Sequence, residues 1–599
     1  MEPILLNSRE DLPRPDYPRP SFARSEWISL NGEWEFEFDF SASGEERRLY
    51  DAGAFDMRIT VPFCPESRLS GVGFTDFIPA VWYRRRINIE KREGKRVILH
   101  FGAVDYLSKV WVNGKPAGTH RGGYCAFEYD ITDLLCDGES TVVVMAEDNL
   151  RGKCQPSGKQ SVRYNSHECS YTRTTGIWQT VWLEYVPEVY LTSAKITPHA
   201  SDGAVDISVK ASCLRMGDYS VRLTALYDGL VVGEAAAEFV GDTAALHLSV
   251  SEVHTWEVLA PELYDLKIEL IKHGEKECTD TVYSYFALRD IAFDERGLTV
   301  NGRHVFMRLI LDQGFNPDGI YTAPSAEFLK RDIELAIELG FNGARLHQRV
   351  FEERTLYYAD RLGYIVWAEA PSGIDLSYAE ATEMLLPEWL EIVNSHYNHP
   401  SVIGWCPFNE TYHEHRLHKQ THTTLYGITK ALDPYRPVID ASGGVHYATD
   451  MFDVHDYEQD PERLAGYLAP MLEDASYFHS PIYRYRNHAP TYVEEYTGQP
   501  YWVSEYGGTF WNPAVVNDGR TAWGYGDAPR TEEEFAARYE GLTDVLLSHP
   551  RVCGFCYTQL TDIEQEQNGL YFYDRRKKLS DGIYERIKRI NQKKAAIED

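Results

Sequence analysis

The sequence of 599 residues lacks any apolar run that reaches membrane-spanning length, which is about 20 residues for a helix. Its first residues also lack the basic and apolar segments of a secretory signal peptide. The ten cysteines are scattered, without the spacing of a disulfide framework. These absences predict a cytoplasmic protein with reduced thiols that does not bind a membrane.

Positive charge is also scarce, because 60 lysines and arginines face 91 aspartates and glutamates, a formal net charge of −31. A nucleic-acid-binding protein needs a basic surface to displace the counterions of the phosphate backbone. The charge balance therefore argues against nucleic acid as a partner, and solubility explains the excess of acids.

Aromatic residues, by contrast, are abundant: they form 13% of the chain, with 13 tryptophans and 40 tyrosines. Flat aromatic rings suit the C–H faces of sugars, but cores rich in β-strands are aromatic as well. The composition leaves both explanations open.

A chain of this length exceeds one hydrophobic core and suggests about three or four domains. Residues 1–190 contain many short strands, and the sequence Trp111-Val112-Asn113-Gly114 reads as a strand that enters a hairpin turn. We predict a jelly-roll β-sandwich for residues 1–190 and an immunoglobulin-like β-sandwich for residues 191–290.

The pattern changes near Asn301, where short apolar strands begin to alternate with segments of helical length. This alternation predicts a (β/α)₈ TIM barrel for residues 291–599. The predicted strands are 305–311, 342–346, 364–369, 402–408, 437–441, 451–456, 501–504 and 552–558.

Two glutamates follow apolar strands of this predicted barrel. Glu410 follows the fourth strand and Glu505 the seventh. Catalytic residues of TIM barrels lie at the C-terminal ends of strands. A structural acid paired with Arg or Lys is the alternative for either residue, but two acids at one rim favour catalysis. A pair of carboxylates is the minimum for cleaving a glycosidic bond.

The order and context of these residues resemble glycoside hydrolase family 2, the family of β-galactosidases, β-glucuronidases and β-mannosidases. The most specific motifs are His399-Pro400-Ser401-Val402-Ile403-Gly404-Trp405 before Asn409-Glu410, and Glu505-Tyr506-Gly507-Gly508. The resemblance covers nearly the whole chain. It implies both β-sandwiches and the barrel.

By this resemblance, Glu410 is the general acid/base and Glu505 the nucleophile of a retaining mechanism. Carboxyls about 5 Å apart are expected, so that the charge on Glu505 raises the pKa of Glu410. Asn409 is expected to hydrogen-bond the sugar 2-hydroxyl. Arg345 aligns with a family arginine near the nucleophile and Tyr457 with a tyrosine that contacts it, although a barrel salt bridge and an ordinary rim tyrosine remain the alternatives.

Further residues are candidates for substrate binding by the same resemblance. Glu369 ends the third predicted strand and matches a family acid, while His347, His455 and Trp511 are pocket candidates. For each of these, simple packing explains the residue as well as sugar contact does.

Around the expected sugar the sequence departs from the family pattern. Asp312 and Gln313 follow the first strand, where histidine is usual, and His347 is followed by Gln348 instead of following a serine. Tyr557 ends the eighth strand, where tryptophan is usual. We count Asp312, Gln313 and Tyr557 among the substrate-binding candidates.

Two more departures bear on metals and on substrate. Glu369 is not followed by the histidine that helps some family galactosidases to hold magnesium, so neither a metal nor another cofactor is expected. Leu570 stands at the position where the β-glucuronidases of the resembling family have a lysine that contacts the uronate carboxylate. The identity of the sugar therefore stays open.

The sequence predicts a retaining exo-β-glycosidase, β-galactosidase-like, that acts on small oligosaccharides. The alternatives are the same mechanism on a β-glucuronide, a β-mannoside or a furanoside such as a galactofuranoside or arabinofuranoside, a transglycosylase, and a non-catalytic carbohydrate-binding protein. The resemblance also favours a homo-oligomer, either a dimer or a tetramer.

Overall fold

In the computed structural model, the first twelve strands alternate buried and exposed residues and form sheets that pack on each other. The structure describes residues 12–212, 217–275, 277–411, 416–482, 494–513 and 522–598. The first strands are β1 (Trp27–Ser29), β2 (Gly32–Phe38), β3 (Met57–Val61), β4 (Ala80–Asn88), β5 (Lys95–Phe101), β6 (Val104–Asp105), β7 (Leu107–Val112), β8 (Lys115–Arg121), β9 (Phe127–Asp130), β10 (Glu139–Glu147), β11 (Gly176–Ile177) and β12 (Val181–Pro187).

These strands form the first sandwich. One sheet has the order β3-β2-β4-β10-β7-β8, and the other has the order β1-β12-β5-β9. In the antiparallel pair of β4 and β10, Tyr83 lies opposite Val144, and both side chains are buried in the core between the sheets. The short strands β6 and β11 pair with each other.

The second sandwich has three strands facing four, the number expected of an immunoglobulin-like domain. Its strands are β13 (Leu191–His199), β14 (Ala204–Ala211), β15 (Tyr219–Tyr227), β16 (Leu230–Glu238), β17 (Thr243–Ser249), β18 (Tyr264–Lys272) and β19 (Asp280–Phe286). The sheet orders are β13-β14-β17 and β16-β15-β18-β19. A small antiparallel sheet then leads to the barrel, with strands β20 (Ile291–Asp294), β21 (Gly297–Val300) and β22 (Arg303–His304).

The third domain is a parallel barrel surrounded by helices. Its strands are β23 (Met307–Asp312), β24 (Gly343–Leu346), β25 (Ile365–Glu369), β26 (Val402–Cys406), β27 (Phe452–Asp456), β28 (Tyr501–Gly507) and β29 (Val552–Thr558). The described helices are α1 (Ala326–Glu338), α2 (Glu353–Leu362), α3 (Ala379–His396), α4 (Arg416–Leu432), α5 (Pro461–Leu468), α6 (Pro470–Glu473), α7 (Glu532–Ser548) and α8 (Asp581–Asn591). The strand order is β26-β25-β24-β23-β29-β28-β27. The predicted fold class, two sandwiches and a TIM barrel, is confirmed.

The predicted strand 437–441 is wrong, because that segment forms only isolated bridges to its neighbours. Pro437 has no N–H to contribute to a ladder, although its carbonyl accepts from Trp405 N at 3.0 Å. On the other side Ser442 Oγ donates to the carboxylate of Asp453 in β27 at 2.6 Å. Side-chain bonds thus replace part of the ladder, and the segment fills the gap between β26 and β27.

The first sandwich reaches the barrel through residues 153–175, which we call the jelly-roll loop. Its Ser157 N donates to Ser372 O at 3.0 Å, in the segment after β25. Its Thr172 N donates to the carboxylate of Glu564 at 3.0 Å, in the segment after β29. The loop is therefore held at two points of the C-terminal rim, where barrel enzymes carry their active sites. Among the helices of the described ranges, none is long and apolar enough to cross a membrane.

Candidate active site

Glu505 lies within β28 at the C-terminal rim and is almost completely buried. Its Oε1 accepts a hydrogen bond from Arg345 in β24 at 2.6 Å, and its Oε2 accepts one from the Tyr457 hydroxyl. Arg345 is itself fully buried and also donates to Glu369 and to Asn409 Oδ1, the latter at 2.7 Å. A barrel salt bridge and a contact to Glu505 therefore coexist on one arginine.

The charges around Glu505 keep it ionised. Burial alone would raise the pKa of this carboxyl, but the positive charges of His455 and Arg345 lower it below its usual value. A buried carboxylate with such partners is a stable anion at neutral pH, which is the state that a nucleophile needs.

Glu410 approaches Glu505 from the segment that follows β26. Its backbone is in the left-handed region with φ of 49°, and its N–H donates to Ser442 O at 2.9 Å. The two carboxylates each contribute an oxygen within 4.8 Å of the other and of a ring nitrogen of His455. This spacing is the one at which one carboxylate can attack a sugar while the other protonates the leaving group.

The pKa of Glu410 differs from the expectation that the charge of Glu505 raises it. Burial does favour the neutral form, but a 2.7 Å hydrogen bond with His455 Nδ1 and the charges of His455 and Lys159 lower the pKa below its usual value. Burial lowers the pKa of His455 in turn, yet the charges of Glu505 and Glu410 raise it more. In the sugar-free site the shared proton therefore resides on His455.

The cluster of Glu410, His455 and Glu505 is also the one group within the described ranges whose spacing could hold a metal ion. Glu505 already forms an ion pair with Arg345, and the positive charge of this arginine opposes the binding of a second cation beside it. Glu369 accepts from Arg345 and from Gln348 N, at 3.0 Å for the latter, so both of its oxygens are engaged by the protein. The donor set thus suits a pair of working carboxylates better than a metal.

Several other predicted residues meet at this pair. His347 is buried, with Nδ1 3.2 Å from Glu369 and 3.9 Å from Glu505. The Tyr457 ring stacks on Tyr525 with ring centroids 3.4 Å apart, and this contact helps to fix the hydroxyl that donates to Glu505. Gln348, next to His347, has φ of 47°, and its backbone N–H donates a hydrogen bond to the carboxylate of Glu369.

Three predicted residues are not brought to the pair. Asp312 accepts from Gly314 N at 2.8 Å and has Asp332 and Arg575, outside the barrel, as its charged neighbours. Tyr557 packs on Tyr506 and Tyr539, the latter in α7.

Trp511, the third of them, makes its ring contact with Phe535 of α7, and its backbone N–H donates to Gln567 O. A role for these three side chains in sugar binding stays a prediction. Side chains alternate along a strand, so an error of one residue exchanges a pocket position for a helix-facing one.

Sequence reasoning missed residues that the fold brings to the rim. Thr558 Oγ1 lies 3.1 Å from the Tyr457 hydroxyl, one position beyond Tyr557. Gln313, which was predicted, donates to the hydroxyl of Tyr171 at 2.9 Å and to Gln559 Oε1 at 2.7 Å. Strand alternation could have indicated Thr558, but nothing in the sequence links Tyr171 of the jelly-roll loop to the barrel.

A cavity of about 870 Å³ opens on the side of Glu410. Its wall joins the jelly-roll loop to the segments after β25 and β26 and combines polar side chains with a few apolar ones. The main apolar lining residues are Val162, Ile374, Leu376 and Phe408. Glu505 is absent from the lining, so the cavity lies on the side of the pair where a leaving group would be protonated.

A barrel with two carboxylates at its C-terminal rim, within 4.8 Å of each other, is the arrangement of the glycoside hydrolases. Three sequence-family models match consecutive segments of the chain. The model of the sugar binding domain of glycosyl hydrolases family 2 matches residues 27–187, and the model named glycosyl hydrolases family 2 matches residues 189–289. The model of the TIM barrel domain of the same family matches residues 293–524. The chain belongs to glycoside hydrolase family 2.

Individual relatives of the chain share 24% to 28% of their aligned residues with it. A β-glucuronidase of Canis lupus familiaris is 28% identical over 448 residues, which cover 68% of this chain and 67% of that protein. A β-galactosidase of Thermoanaerobacter pseudethanolicus is 24% identical over 444 residues, covering 71% of this chain and 55% of that protein. The chain spans 40% of the length of a putative β-glucuronidase of Formosa agariphila, to which it is 28% identical, and 67% of the length of the canine protein.

The fold is likewise shared with solved structures. A β-glucuronidase of Lactobacillus rhamnosus superposes with a TM-score of 0.76 at 20% sequence identity, covering 96% of this chain and 99% of that one. At this identity the likeness establishes the fold.

Proposed function

We propose that this protein is a retaining exo-β-glycosidase in which Glu505 is the nucleophile and Glu410 the general acid/base. The observation that carries the proposal is the close pair of carboxylates, with oxygens within 4.8 Å, of which one is held ionised by Arg345. Inverting enzymes need more room between the carboxyls, because a water molecule must fit there.

In the first step an oxygen of Glu505 attacks the anomeric carbon while Glu410 gives its proton to the glycosidic oxygen, so the alcohol leaves as a neutral molecule. Glu410, now ionised, takes a proton from water in the second step. The resulting hydroxide displaces Glu505 from the sugar and restores both groups. The product keeps the β configuration because the anomeric centre is inverted twice.

His455 provides the proton that Glu410 lacks in the sugar-free site. The 2.7 Å hydrogen bond between His455 Nδ1 and Glu410 Oε1 is a direct path for proton transfer. When a sugar shields the site from water and Glu505 loses its charge in the covalent step, the balance between His455 and Glu410 changes. The pair can therefore deliver the proton during bond cleavage and recover it afterwards.

Asn409 is oriented for the sugar by Arg345. Because the arginine donates to Asn409 Oδ1 at 2.7 Å, the amide NH₂ group is left to donate elsewhere. A sugar 2-hydroxyl beside the anomeric carbon would accept from it, in a contact that strengthens as charge develops in the transition state.

We propose β-glucuronides, rather than the β-galactosides expected from the sequence, as the main substrates. Similar proteins named β-glucuronidase come from mammals and bacteria, for example Felis catus at 27% identity and Bacteroides fragilis at 25%. One β-galactosidase is similar at a comparable level, so the galactoside is the control substrate. The apolar side chains in the wall of the cavity beside Glu410, such as Phe408 and Ile374, can contact an aromatic leaving group.

The test compares p-nitrophenyl β-glycosides of glucuronate, galactose, mannose, glucose and arabinofuranose. We expect the β-glucuronide to give the highest kcat/KM and proton NMR to show the β-anomer as first product. Glu505→Gln should lose at least about 10³-fold in kcat while keeping its melting temperature, since the covalent step needs an ionised carboxylate.

An α-anomer as first product, or full turnover by Glu505→Gln, would overturn the mechanism. Highest activity on the galactoside would overturn only the choice of sugar.

A further inference from the structure

The jelly-roll loop forms one wall of the catalytic pocket. Gly158 has φ of +56°, and a Cβ at this position would overlap the carbonyl oxygen of Gln348. Gln348 follows His347, whose ring lies 3.9 Å from Glu505. The close approach that only glycine allows at residue 158 therefore brings the next residue, Lys159, beside the rim segment that carries His347 and Gln348.

The other side of the loop fixes Lys159 from behind. Its carbonyl accepts from Tyr171 N at 2.8 Å. The Tyr171 hydroxyl donates to Glu566 and accepts from Gln313 Nε2 at 2.9 Å, and both of these residues belong to the barrel rim. The backbone of Lys159 is thus fixed between two segments that are hydrogen-bonded to the barrel rim, while its side chain remains partly exposed.

The ammonium group of Lys159 has no protein partner in the described part of the chain, where it forms neither an ion pair nor a hydrogen bond. Burial lowers its pKa, but the acidic groups nearby, first Cys169 and then Glu410 and Glu505, raise it more. A cation in a pocket without a directly bonded anion is ready to bind one from solution.

Other cations near the rim are already engaged. Arg345 binds Glu505, Arg575 binds Asp332 at 2.8 Å, and the buried Lys578 binds Asp562 at 2.6 Å. Arg349 donates to the backbone carbonyls of Gly314 and Tyr321.

Leu570 is fully buried in the barrel core and offers no charge. An acidic sugar would meet the negative field of the two catalytic carboxylates and needs a cation to offset it.

We propose that Lys159 of the jelly-roll loop binds the carboxylate of a uronide substrate, so that the first sandwich rather than the barrel supplies the cation for acidic sugars. The inference rests on the proposed glycosidase function and makes Lys159 a specificity-determining residue. A single charge-assisted contact at C5 of the sugar would separate uronides from neutral hexosides of the same ring geometry.

The experiment compares Lys159→Met, which keeps the length of the side chain, and Lys159→Arg, which keeps its charge, with the wild type. For p-nitrophenyl β-glucuronide we expect Lys159→Met to raise KM and to lower kcat/KM by about 100-fold. For the β-galactoside and β-glucoside the same variant should change kcat/KM far less, because these sugars carry no carboxylate for the lysine to bind, so the preference for the uronide should fall by about tenfold or more. Lys159→Arg should retain a tenth or more of the wild-type value. Lys577→Met, which removes an exposed lysine paired with Asp581, is the matched control and should behave as wild type.

Equal losses on uronide and neutral substrates in Lys159→Met would overturn the proposal, because they would show a general effect on the carboxylates or on folding. An unchanged preference for the uronide would overturn it as well. Hydrolysis of neutral glycosides alone by the wild type would overturn the role of Lys159 and leave Glu410 and Glu505 as assigned.

Should no glycoside be cleaved, the mechanism fails and the lysine is judged by calorimetry with free glucuronate. Binding by the wild type but not by Lys159→Met supports the role of Lys159, and equal or absent binding overturns it.

Discussion

His455 lies between the two carboxylates, with Nδ1 2.7 Å from Glu410 and Nε2 3.3 Å from Glu505. A positive imidazole in this position stabilises both anions and lowers the pKa of each. The same charge that helps to keep Glu505 ionised therefore removes the proton from Glu410 in the resting site. In the proposed mechanism, catalysis depends on moving this proton along the existing hydrogen bond between His455 and Glu410.

We expect His455→Gln to restrict activity to lower pH. In the wild type the pair of His455 and Glu410 holds the catalytic proton, and the charges of Glu505 and Glu410 raise the pKa of His455. In the variant Glu410 alone must hold this proton, and a carboxyl loses it at lower pH than such a histidine, so the basic limb of the kcat/KM profile should move down by about one pH unit or more. The maximal rate should fall, because Glu505 also loses a stabilising charge. The pH dependence of kcat/KM on the best nitrophenyl glycoside measures the change.

His199→Gln is the control, since His199 pairs with Asp206 on the surface of the second sandwich. A basic limb that stays in place or moves to higher pH in His455→Gln would contradict the role given to His455.

At the scale of elements, β29 shows how strand alternation decides which residue meets the substrate. Thr558 hydrogen-bonds Tyr457 at 3.1 Å, whereas the neighbouring Tyr557 packs on Tyr539 of α7. In the sequence, Tyr557 stands at the end of the eighth predicted strand, where the family usually has a tryptophan. Because successive side chains of a strand point to opposite faces, a change of one residue in register determines whether a group faces the pocket.

Tyr557→Phe should therefore leave kcat/KM within about twofold, because its buried hydroxyl has no hydrogen-bond partner among the described residues. Thr558→Val should lower kcat/KM by about fivefold, the value of one neutral hydrogen bond, since Tyr457 then loses a partner that orients it toward Glu505. Steady-state kinetics of both variants give the comparison. A larger loss in Tyr557→Phe than in Thr558→Val would restore Tyr557 as a substrate residue.

The fifth strand of the barrel shows the limit of periodicity at the same scale. Residues 437–441 carry an apolar pattern that predicts a strand, and they do lie where a strand belongs. The pattern records burial, which an irregular segment satisfies as well as a strand. Side-chain bonds such as that of Ser442 with Asp453 have no signal in apolar periodicity.

At the scale of the whole molecule, Glu388 of α3 joins the barrel to the first sandwich. Its Oε1 accepts from Tyr124 N at 3.0 Å, and its other oxygen has no partner in the described residues. Burial raises the pKa of Glu388 to about 8. A carboxyl with a raised pKa binds a proton more tightly in the folded state, so its stabilising contribution is complete below about pH 4.5 and is lost as pH rises toward 8.

We expect Glu388→Gln to flatten this dependence. The variant should unfold at a higher temperature than the wild type at pH 8.5 and at a similar temperature at pH 5, a difference on the order of a few kcal/mol at most. Differential scanning calorimetry at the two pH values measures it. Glu391→Gln, one turn away and half exposed beside His120, is the control. A wild type that is less stable at pH 5 than at pH 8.5, with no gain in the variant, would refute a neutral Glu388.

The sequence by itself determined the fold class and the family, and it was enough to predict the catalytic role of the two glutamates, because these depend on local features: strand alternation, the change to helical periodicity, and motifs that follow single strands. Arg345 and Tyr457 were also within its reach, since each follows from one strand end of the barrel. Only the tertiary structure decided which groups act on the pair. His455 lies between Glu410 and Glu505 and contacts both. Lys159, whose charge acts on Glu410, comes from a different domain, more than two hundred residues before either carboxylate. Charge acts through space, so the protonation of a site depends on neighbours that chain order does not reveal.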